Sequence, residues 1–130
     1  MILGIGFDMV EVRRMDAWVA QKKLAQRFFH DDELADMEQQ NKWKSQSLAA
    51  RFAAKEAFGK ALGTGISEFP LMDVRIISAP NGKPLLRLYG KAADLVKKRG
   101  GKGVFLSLSH EKTYAGAVVV IEGTGGAEGG

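Results

Sequence analysis

The first residues of the chain alternate between two sets of side chains, as a β-strand requires. Over residues 2–12, one face carries Leu3, Ile5, Phe7 and Met9, and the other carries Ile2, Gly4, Gly6, Asp8 and Val10. Glycine weakens the interior of a strand unless another group must come close to the backbone there. The pattern therefore predicts a strand in which the Asp8 carboxylate lies in a cleared space beside two glycines.

Two helical patterns follow this strand. Residues 15–28 are compatible with one amphipathic helix that has a basic outer face. Residues 30–40 predict a short second helix, with Asp31 or Asp32 as its N-cap, because a carboxylate accepts hydrogen bonds from the free N–H groups of a first turn. We expect a polar loop at residues 39–47 after this helix.

The longest helical pattern covers residues 48–62 and stops at Gly63, a common helix end. Ser45 or Ser47 is expected to cap its start. On a wheel with about 100° per residue, the alanines of this helix form one stripe. The stripe consists of Ala50, Ala53, Ala54, Ala57 and Ala61. Such a row of small side chains predicts close packing against a neighbouring element.

The second half of the chain predicts two hairpins and one further helix. An Asn-Gly pair between two apolar runs, in "PNGKP", is a strong hairpin signal. The predicted elements are strands at residues 73–78 and 85–89, a helix at 90–99, and strands at 104–110 and 114–122. Strands and helices mix without a regular βαβ rhythm, so we expect an α+β fold with a mainly antiparallel sheet packed against the long helix.

Length and composition predict one domain with one hydrophobic core. The chain has 130 residues, of which 45% are hydrophobic. We expect the domain to cover residues 1–122 and the Gly-rich segment 123–130 to be a disordered tail. No apolar run approaches the about 20 residues that span a bilayer. A membrane segment is therefore not expected. A secretory signal is not expected either, because no basic region precedes the first apolar stretch and Asp8 lies within it.

The charge balance favours an anionic partner without identifying it. The chain has 19 basic and 15 acidic residues, a formal net charge of +4. It has no cysteine, which excludes a disulfide framework and a thiolate metal site and makes the reducing cytoplasm the default location. A basic nucleic-acid-binding module is the main alternative. Only 8% of the residues are aromatic and they are not interleaved with basic residues, which argues against nucleic acid.

The charged residues of the central helix form two pairs. Arg51 and Lys55 are like charges one turn apart, an arrangement that opposes helix formation by roughly 0.2–0.5 kcal/mol. They either extend to solvent or share an anionic partner from outside the helix. Glu56 and Lys60 have the order and spacing of an ion pair within the helix.

A metal and phosphate site would form if these residues converge. Two carboxylates, Asp8 and Glu56, are too few for calcium, but they suit magnesium, which keeps several waters and takes one or two carboxylates plus substrate phosphates. Arg51, Lys55 and Lys60 would then hold the phosphates through charge-assisted hydrogen bonds. The spacing thus allows a phosphoryl-transfer site, with a simple intrahelical pair and surface cations as the alternative.

One histidine ends an apolar strand pattern. His110 follows Ser107 and Ser109 in "LSLSH". Near neutral pH an imidazole can bind phosphate or transfer a proton, and an exposed structural histidine is the other interpretation. His30 has no comparable context and is assigned no role.

Four segments together resemble one family. They are "GIGFDMVEVRR" at residues 4–14, "RFAAKEAFGKALGTGI" at 51–66, "NGKP" at 81–84 and "LSLSHEKTYAGAVVV" at 106–120. In this order and spacing they resemble the holo-acyl-carrier-protein synthases, bacterial phosphopantetheinyl transferases of the short type. The resemblance covers residues 1 to about 122 and implies the 4'-phosphopantetheinyl transferase fold.

The resemblance implies a reaction and its residues. Phosphopantetheine moves from coenzyme A to a serine of apo-acyl carrier protein, releasing adenosine 3',5'-bisphosphate, a step that serves fatty acid biosynthesis. Asp8 and Glu56 are expected to bind magnesium and, with Lys60 and His110, to act in catalysis. The phosphates of coenzyme A are expected to contact Arg51, Lys55, Lys60, Ser109 and His110. The adenine nucleotide is expected near Asn81, Gly82, Lys83 and Pro84.

The carrier serine is expected to attack the proximal phosphorus in line. A water on the metal, Glu56, and one of Asp31 or Asp32 are the candidate acceptors of its proton.

The resemblance also implies partners. The family forms homotrimers whose active sites lie between subunits, and its carrier proteins are acidic. The basic face that would attract a carrier consists of Arg13, Arg14, Lys22, Lys23 and Arg27, with Arg14, Lys22 and Arg27 as the predicted contacts.

Two positions depart from the family pattern, Phe7 and Gly59. Mid-helix glycine costs about 1 kcal/mol relative to alanine, and the sequence offers no reason for Gly59.

Overall fold

The fold is described for residues 1–123 by a computed structural model. The helices and strands, in chain order, are β1 (Ile2–Glu11), α1 (Asp16–Ala20), α2 (Lys22–Ala25), α3 (Asp31–Gln39), α4 (Ser45–Leu62), β2 (Val74–Ser78), β3 (Pro84–Leu88), α5 (Gly90–Lys98), β4 (Gly101–His110) and β5 (Tyr114–Gly123). Short 3-10 turns occupy Val12–Met15, Ile66–Glu68 and Leu71–Asp73. The predicted α+β class is confirmed.

The predicted tail at residues 123–130 falls almost entirely outside the described residues. Only its first residue, Gly123, is described, and it is the last residue of β5. Its N–H donates to the carbonyl of Met1 at 2.8 Å, which ties the start of the chain to the end of β5.

The strands form two antiparallel sheets. The larger sheet has the order β1-β5-β4, and the smaller one is the β2-β3 hairpin alone. Both predicted hairpins are therefore confirmed, and the sheet they were expected to share is two separate sheets. Across the larger sheet, Phe7 lies opposite Val118 and Val118 lies opposite Ser107, which places these three residues in one row.

Helix α4 packs across β1 and β5, and at two glycines of β1 the helix backbone leaves no room for a side chain. A Cβ on Gly4 would lie 1.8 Å from the carbonyl oxygen of Ala61, and a Cβ on Gly6 would lie 1.8 Å from that of Ala57. The alanine stripe thus allows the close packing that was predicted. The cleared space expected beside Asp8 is filled by the backbone of α4, so the glycines are required for packing of the helix.

Three local predictions are wrong. Residues 15–28 are broken into α1 and α2, because Gln21 between them is extended (φ −128°, ψ 90°). The N-cap of α3 is His30, whose Nδ1 accepts from the N–H of Asp32 at 3.1 Å, so neither aspartate is the cap. Helix α4 begins at Ser45 without a side-chain cap, and the Ser45 hydroxyl donates instead to Asp16.

The end of α4 explains the glycine within it. Gly63 has the left-handed conformation (φ 87°) that stops the helix as predicted. The chain then turns back, and Gly65 donates to the carbonyl oxygen of Gly59 at 3.1 Å. A Cβ on Gly59 would lie 2.8 Å from the carbonyl carbon of Gly65. Gly59 is therefore needed for this close return of the chain.

Candidate active site

Strand β1 and helix α4 bring together the two predicted acids and one lysine. Lys60 Nζ donates to Asp8 Oδ1 at 3.0 Å and to the carbonyl of Phe7 at 3.2 Å. Its ion pair is therefore with Asp8 on the neighbouring strand, and the alternative of a Glu56–Lys60 pair within the helix is not what the structure contains. The Lys60 side chain stays 56% exposed, so its ammonium can still reach a bound molecule.

The carboxylates of Asp8 and Glu56 are neighbours. Burial, together with the hydrogen bond and the negative charge of Asp8, raises the pKa of Glu56 to about 7. Arg14 and Lys60 oppose this rise through their positive charges, which also places Arg14 within electrostatic range of the acids. We call Asp8 and Glu56 the acid pair.

The acid pair fits a divalent cation of the magnesium type. Burial and the charge of Asp8 oppose the ionisation of Glu56, and a cation beside both carboxylates would relieve that cost. Within residues 1–123, no group of three or more histidine, aspartate or glutamate side chains could hold a metal. A cation at the acid pair would thus take most of its ligands from water or phosphate, as magnesium does and calcium does not.

Lys55 lies on the same helix but is enclosed. Its side chain is 0% exposed, and its Nζ donates to Glu33 Oε1 at 2.8 Å, to the carbonyl of Leu71 at 3.2 Å and to the carbonyl of Val74. Burial lowers the pKa of Lys55, and Glu33 opposes that shift. The interpretation that Lys55 needs an external anion is wrong, because Glu33 of α3 is its partner. Its predicted contact with coenzyme A phosphates conflicts with this burial.

Arg51 is also buried, at 5% exposure, so it does not extend to solvent. Its guanidinium donates to the carbonyl of Ser47 and to Ser78 Oγ, each at 3.3 Å. Lys42 Nζ donates to the same hydroxyl at 3.2 Å. Among the described residues the buried Nε of Arg51 has no hydrogen-bond partner. Burial lowers the pKa of Arg51, and Glu33 and Asp36 oppose that shift.

The predicted nucleotide-binding turn begins beside Ser78, the residue that Arg51 contacts. Asn81 Oδ1 accepts from the N–H of Lys83 at 3.0 Å, and Gly82 is in the left-handed conformation (φ 84°). Pro84 already belongs to β3. Asn81, Gly82 and Lys83 are exposed, so their polar groups face solvent at the tip of the smaller sheet.

Ser109 and His110 lie at the end of β4, which β5 separates from β1 in the larger sheet. Both are exposed and line an open groove of about 330 Å³ together with Phe7, Met9 and Tyr114. The sheet around this groove carries large apolar side chains that face solvent. They are Ile5, Phe7, Met9, Phe105 and Val118, each more than a third exposed, and we call this surface the open sheet face. Among the described residues, no hydrogen bond or ion pair links these two residues to the acid pair.

The predicted carrier contacts are all exposed, but one of them is already paired. Lys22 forms an ion pair with Glu38 and lies 5.6 Å from the centre of the Trp43 ring. Arg14 and Arg27 are exposed. Arg14 is therefore the member of the basic face that combines exposure with electrostatic contact to the acid pair.

Sequence reasoning missed three residues around Arg51 and Lys55. Glu33, Lys42 and Ser78 all come from other elements. Of these three, only Glu33 could have been noticed in the sequence, because a glutamate three residues after the N-cap is typical of a capping box. Its carboxylate does accept from His30 N–H at 3.3 Å.

No helix within residues 1–123 combines the length and the apolar character needed to cross a membrane.

Known proteins are similar to this chain in sequence and in fold. The sequence model of the 4'-phosphopantetheinyl transferase superfamily matches residues 4–119. A holo-[acyl-carrier-protein] synthase of Treponema denticola is 50% identical over 123 residues, which cover 95% of this chain and 100% of that protein.

Two solved structures of such synthases superpose on the chain. The one from Neisseria meningitidis has a TM-score of 0.84 and 35% identity, and the match covers 94% of this chain and 99% of that one. The one from Helicobacter pylori, in complex with coenzyme A, has a TM-score of 0.77 and 32% identity, and covers 91% and 99%.

Proposed function

Because this chain belongs to the 4'-phosphopantetheinyl transferase superfamily, we propose that it transfers phosphopantetheine from coenzyme A to a serine of apo-acyl carrier protein. The reaction depends on magnesium and releases adenosine 3',5'-bisphosphate, and its holo-carrier product serves fatty acid biosynthesis in the cytoplasm. The observation that carries the proposal is the acid pair beside Lys60, where Lys60 pairs with an aspartate 52 residues earlier in the sequence. Coenzyme A in the related Helicobacter pylori structure supports the choice of donor.

Asp8 and Glu56 would hold the magnesium ion. When bound, the ion supplies positive charge against the pyrophosphate of coenzyme A. Lys60, the exposed cation beside the acid pair, adds a second positive charge at the same place. In phosphoryl transfer such positioning and charge stabilisation provide most of the rate enhancement.

The bond changes are those of a direct displacement. The carrier serine oxygen forms a bond to the phosphorus that bears pantetheine, while the pyrophosphate bond from that phosphorus to the bridging oxygen breaks. The serine proton leaves to a base, and adenosine 3',5'-bisphosphate departs with the electron pair of the broken bond. Arg51 offsets negative charge on the nucleotide, supported by its unpartnered buried Nε and its place beside the hairpin turn.

The enzyme would act as a homotrimer. The open sheet face exposes Phe7 at 54% and Phe105 at 56%, and apolar surfaces of this kind usually mark contacts between subunits. Ser109 and His110 line the groove on that face, on a strand that β5 separates from β1 and Asp8. Assembly through this face would bring them to the active site of a neighbouring subunit, where they contact the phosphates of coenzyme A.

The acidic carrier protein would dock on the basic face around Arg14. This residue is exposed and acts electrostatically on Glu56, so a carrier held by Arg14 presents its serine near the acid pair. Complementary charge of this type raises the association rate more than it raises the final affinity.

Intact-protein mass spectrometry tests the proposal. The enzyme is incubated with apo-carrier protein, coenzyme A and magnesium, and the carrier mass is expected to rise by one phosphopantetheine arm. A carrier with alanine in place of the acceptor serine and a reaction with excess chelator are the controls, and both should stay unmodified. An unmodified wild-type carrier under full conditions would refute the proposed reaction.

A further inference from the structure

Within residues 1–123, strand β2 has one partner strand and one edge without a strand. Its partner is β3. Backbone groups of successive residues in an antiparallel strand point to opposite edges, so residues two apart point to the same edge. Val74 and Ile76 are two residues apart. The carbonyl of Val74 accepts a hydrogen bond from Lys55, and the N–H of Ile76 donates to Glu33 Oε2 at 3.1 Å. A buried ion pair therefore occupies the edge where a third strand would lie.

This ion pair is saturated with hydrogen bonds. The Glu33 carboxylate accepts from Lys55 Nζ, from His30 N–H and from Ile76 N–H, and both charged side chains are 0% exposed. Lys55 donates to Glu33 and also to two carbonyls of the segment that enters β2. Removing one partner would leave a buried charge without its counter-charge, so the pair holds one arrangement.

The hairpin that is anchored in this way carries the proposed nucleotide contacts. Ser78 ends β2 and accepts from Arg51, and the exposed turn residues 81–83 follow before β3 begins at Pro84. Lys55 precedes Glu56 of the acid pair on α4. The anchor on β2 and the acid pair therefore share one rigid helix, which fixes the distance between the turn and the catalytic acids.

We infer that Glu33 and Lys55 are positioning residues that hold the hairpin turn for the nucleotide end of coenzyme A while the acid pair holds its pyrophosphate. The inference rests on the proposed function. Neither residue touches substrate in this scheme, and both act through the backbone of β2.

The substitution Glu33→Gln tests this role with little change of volume. Lys55 and Ile76 donate to different oxygens of Glu33, and glutamine replaces one of these oxygens with an NH2 group, which cannot accept. The KM for coenzyme A is expected to rise by roughly tenfold, because contacts to a remote part of the substrate are uniform binding. We expect kcat and the KM for carrier protein to stay within about twofold of the wild-type values.

Amide hydrogen exchange measures the anchor without any ligand. In the wild-type protein the Ile76 amide should exchange as slowly as paired amides of β5, although no strand lies on its side. In the Glu33→Gln variant, exchange at Ile76 and across the hairpin should become faster, while exchange in β5 stays slow. A core substitution in the other sheet, Ile121→Ala, is the control for general loss of stability, and it should leave the KM for coenzyme A unchanged.

Several results would overturn the inference. They are fast exchange at Ile76 in the wild-type protein, equal changes of both KM values in Glu33→Gln, and a rise in the KM for coenzyme A in Ile121→Ala. If Glu33→Gln does not fold, the wild-type exchange rate at Ile76 decides alone. A wild-type enzyme that exchanges as expected but transfers nothing would refute the proposed function and leave the anchor standing.

Discussion

Gly6 of β1 lies directly against Ala57 of α4, with space for a hydrogen atom and none for a methyl group. A Cβ at Gly6 would be 1.8 Å from the carbonyl oxygen of Ala57 and 2.6 Å from the nitrogen of Ala61. Both obstacles are backbone atoms of the central helix, which cannot move away as a flexible side chain can. The acid pair, two residues further along β1 and one residue earlier on α4, depends on this contact for its geometry.

The first prediction is that Gly6→Ala strongly destabilises the protein. The substitution should lower the free energy of unfolding by at least about 2 kcal/mol, because it forces β1 and α4 apart. Gly116→Ala is the matched control, since a Cβ there would meet its nearest atom at an ordinary 3.6 Å. Denaturant unfolding of both variants checks the prediction, and equal stability of the two would contradict the packing described.

The second prediction concerns pH and Glu56. Its pKa in the folded protein is about 7, against 4.5 for the unperturbed group, so the folded state keeps a proton that the unfolded state releases. Between pH 4.5 and about 7, the Glu56 carboxyl therefore favours folding most at the lower pH, and this contribution is lost as pH rises towards 7. Without metal, Tm of the wild-type protein should fall across this window more than Tm of Glu56→Gln.

The control for this measurement is Glu68→Gln, at an exposed acid in a 3-10 turn, which should follow the wild-type profile. Magnesium should raise Tm more above pH 7 than near pH 5, because a cation needs both carboxylates ionised. Parallel profiles for wild type and Glu56→Gln would show that the pKa of Glu56 is not raised in the folded protein.

The third prediction is that Asp8→Asn removes transfer and keeps the fold. Asparagine retains an oxygen that can accept from Lys60 but lacks the charge for a cation, so the rate should fall by roughly a hundredfold or more. The carrier mass assay measures this loss, and circular dichroism verifies the fold. Asp94→Asn, on the exposed side of α5, is the control and should keep full activity. Normal turnover by Asp8→Asn would exclude the metal role of the acid pair.

The fourth prediction is that Arg14→Glu slows association with an acidic carrier protein. The KM for the carrier should rise by roughly tenfold and its dependence on salt should become weaker, because an attractive charge has become repulsive. The KM for coenzyme A should change little. Lys98→Glu makes the same change of charge on α5, far along the chain, and should leave the carrier KM unchanged. An equal effect of both variants would point to net charge instead of a docking face.

The fifth prediction is that Phe105→Glu prevents trimer assembly. Its ring is 56% exposed on the open sheet face, so a carboxylate there would be buried without a partner in any assembly that uses this face. Sedimentation should give a trimer for the wild-type protein and a monomer for the variant, with loss of transfer. Met72→Glu, at another exposed apolar residue, should remain trimeric. A monomeric and fully active wild-type enzyme would refute the shared site.

Much of the architecture follows from short-range patterns. Alternation predicts β1, the Asn-Gly turn predicts the smaller sheet, and Gly63 predicts the end of α4, because each signal depends on residues close in sequence. The neighbourhood of Asp8 and Glu56 was also predictable from ligand chemistry joined to the family resemblance. The role of Gly59 was not, since it depends on a chain that returns after the helix has ended.

The partners of the central cations were beyond sequence reasoning. Lys55 pairs with Glu33, 22 residues earlier, and Lys60 pairs with Asp8, 52 residues earlier. Spacing along one helix suggested an external anion for the first lysine and Glu56 for the second. Only the packing of α3 and β1 against α4 decides these pairs, and packing of separate elements leaves no local periodic signal.

The buried ion pair along β2 has a consequence for solubility. A bare strand edge invites another chain to add a strand, which is a common start of aggregation. In this protein two side chains at 0% exposure already bond the carbonyl of Val74 and the N–H of Ile76, so these two groups are not available to an incoming chain. Glu33 and Lys55 therefore make this edge of β2 a poorer template for an added strand, whatever they contribute to the enzyme.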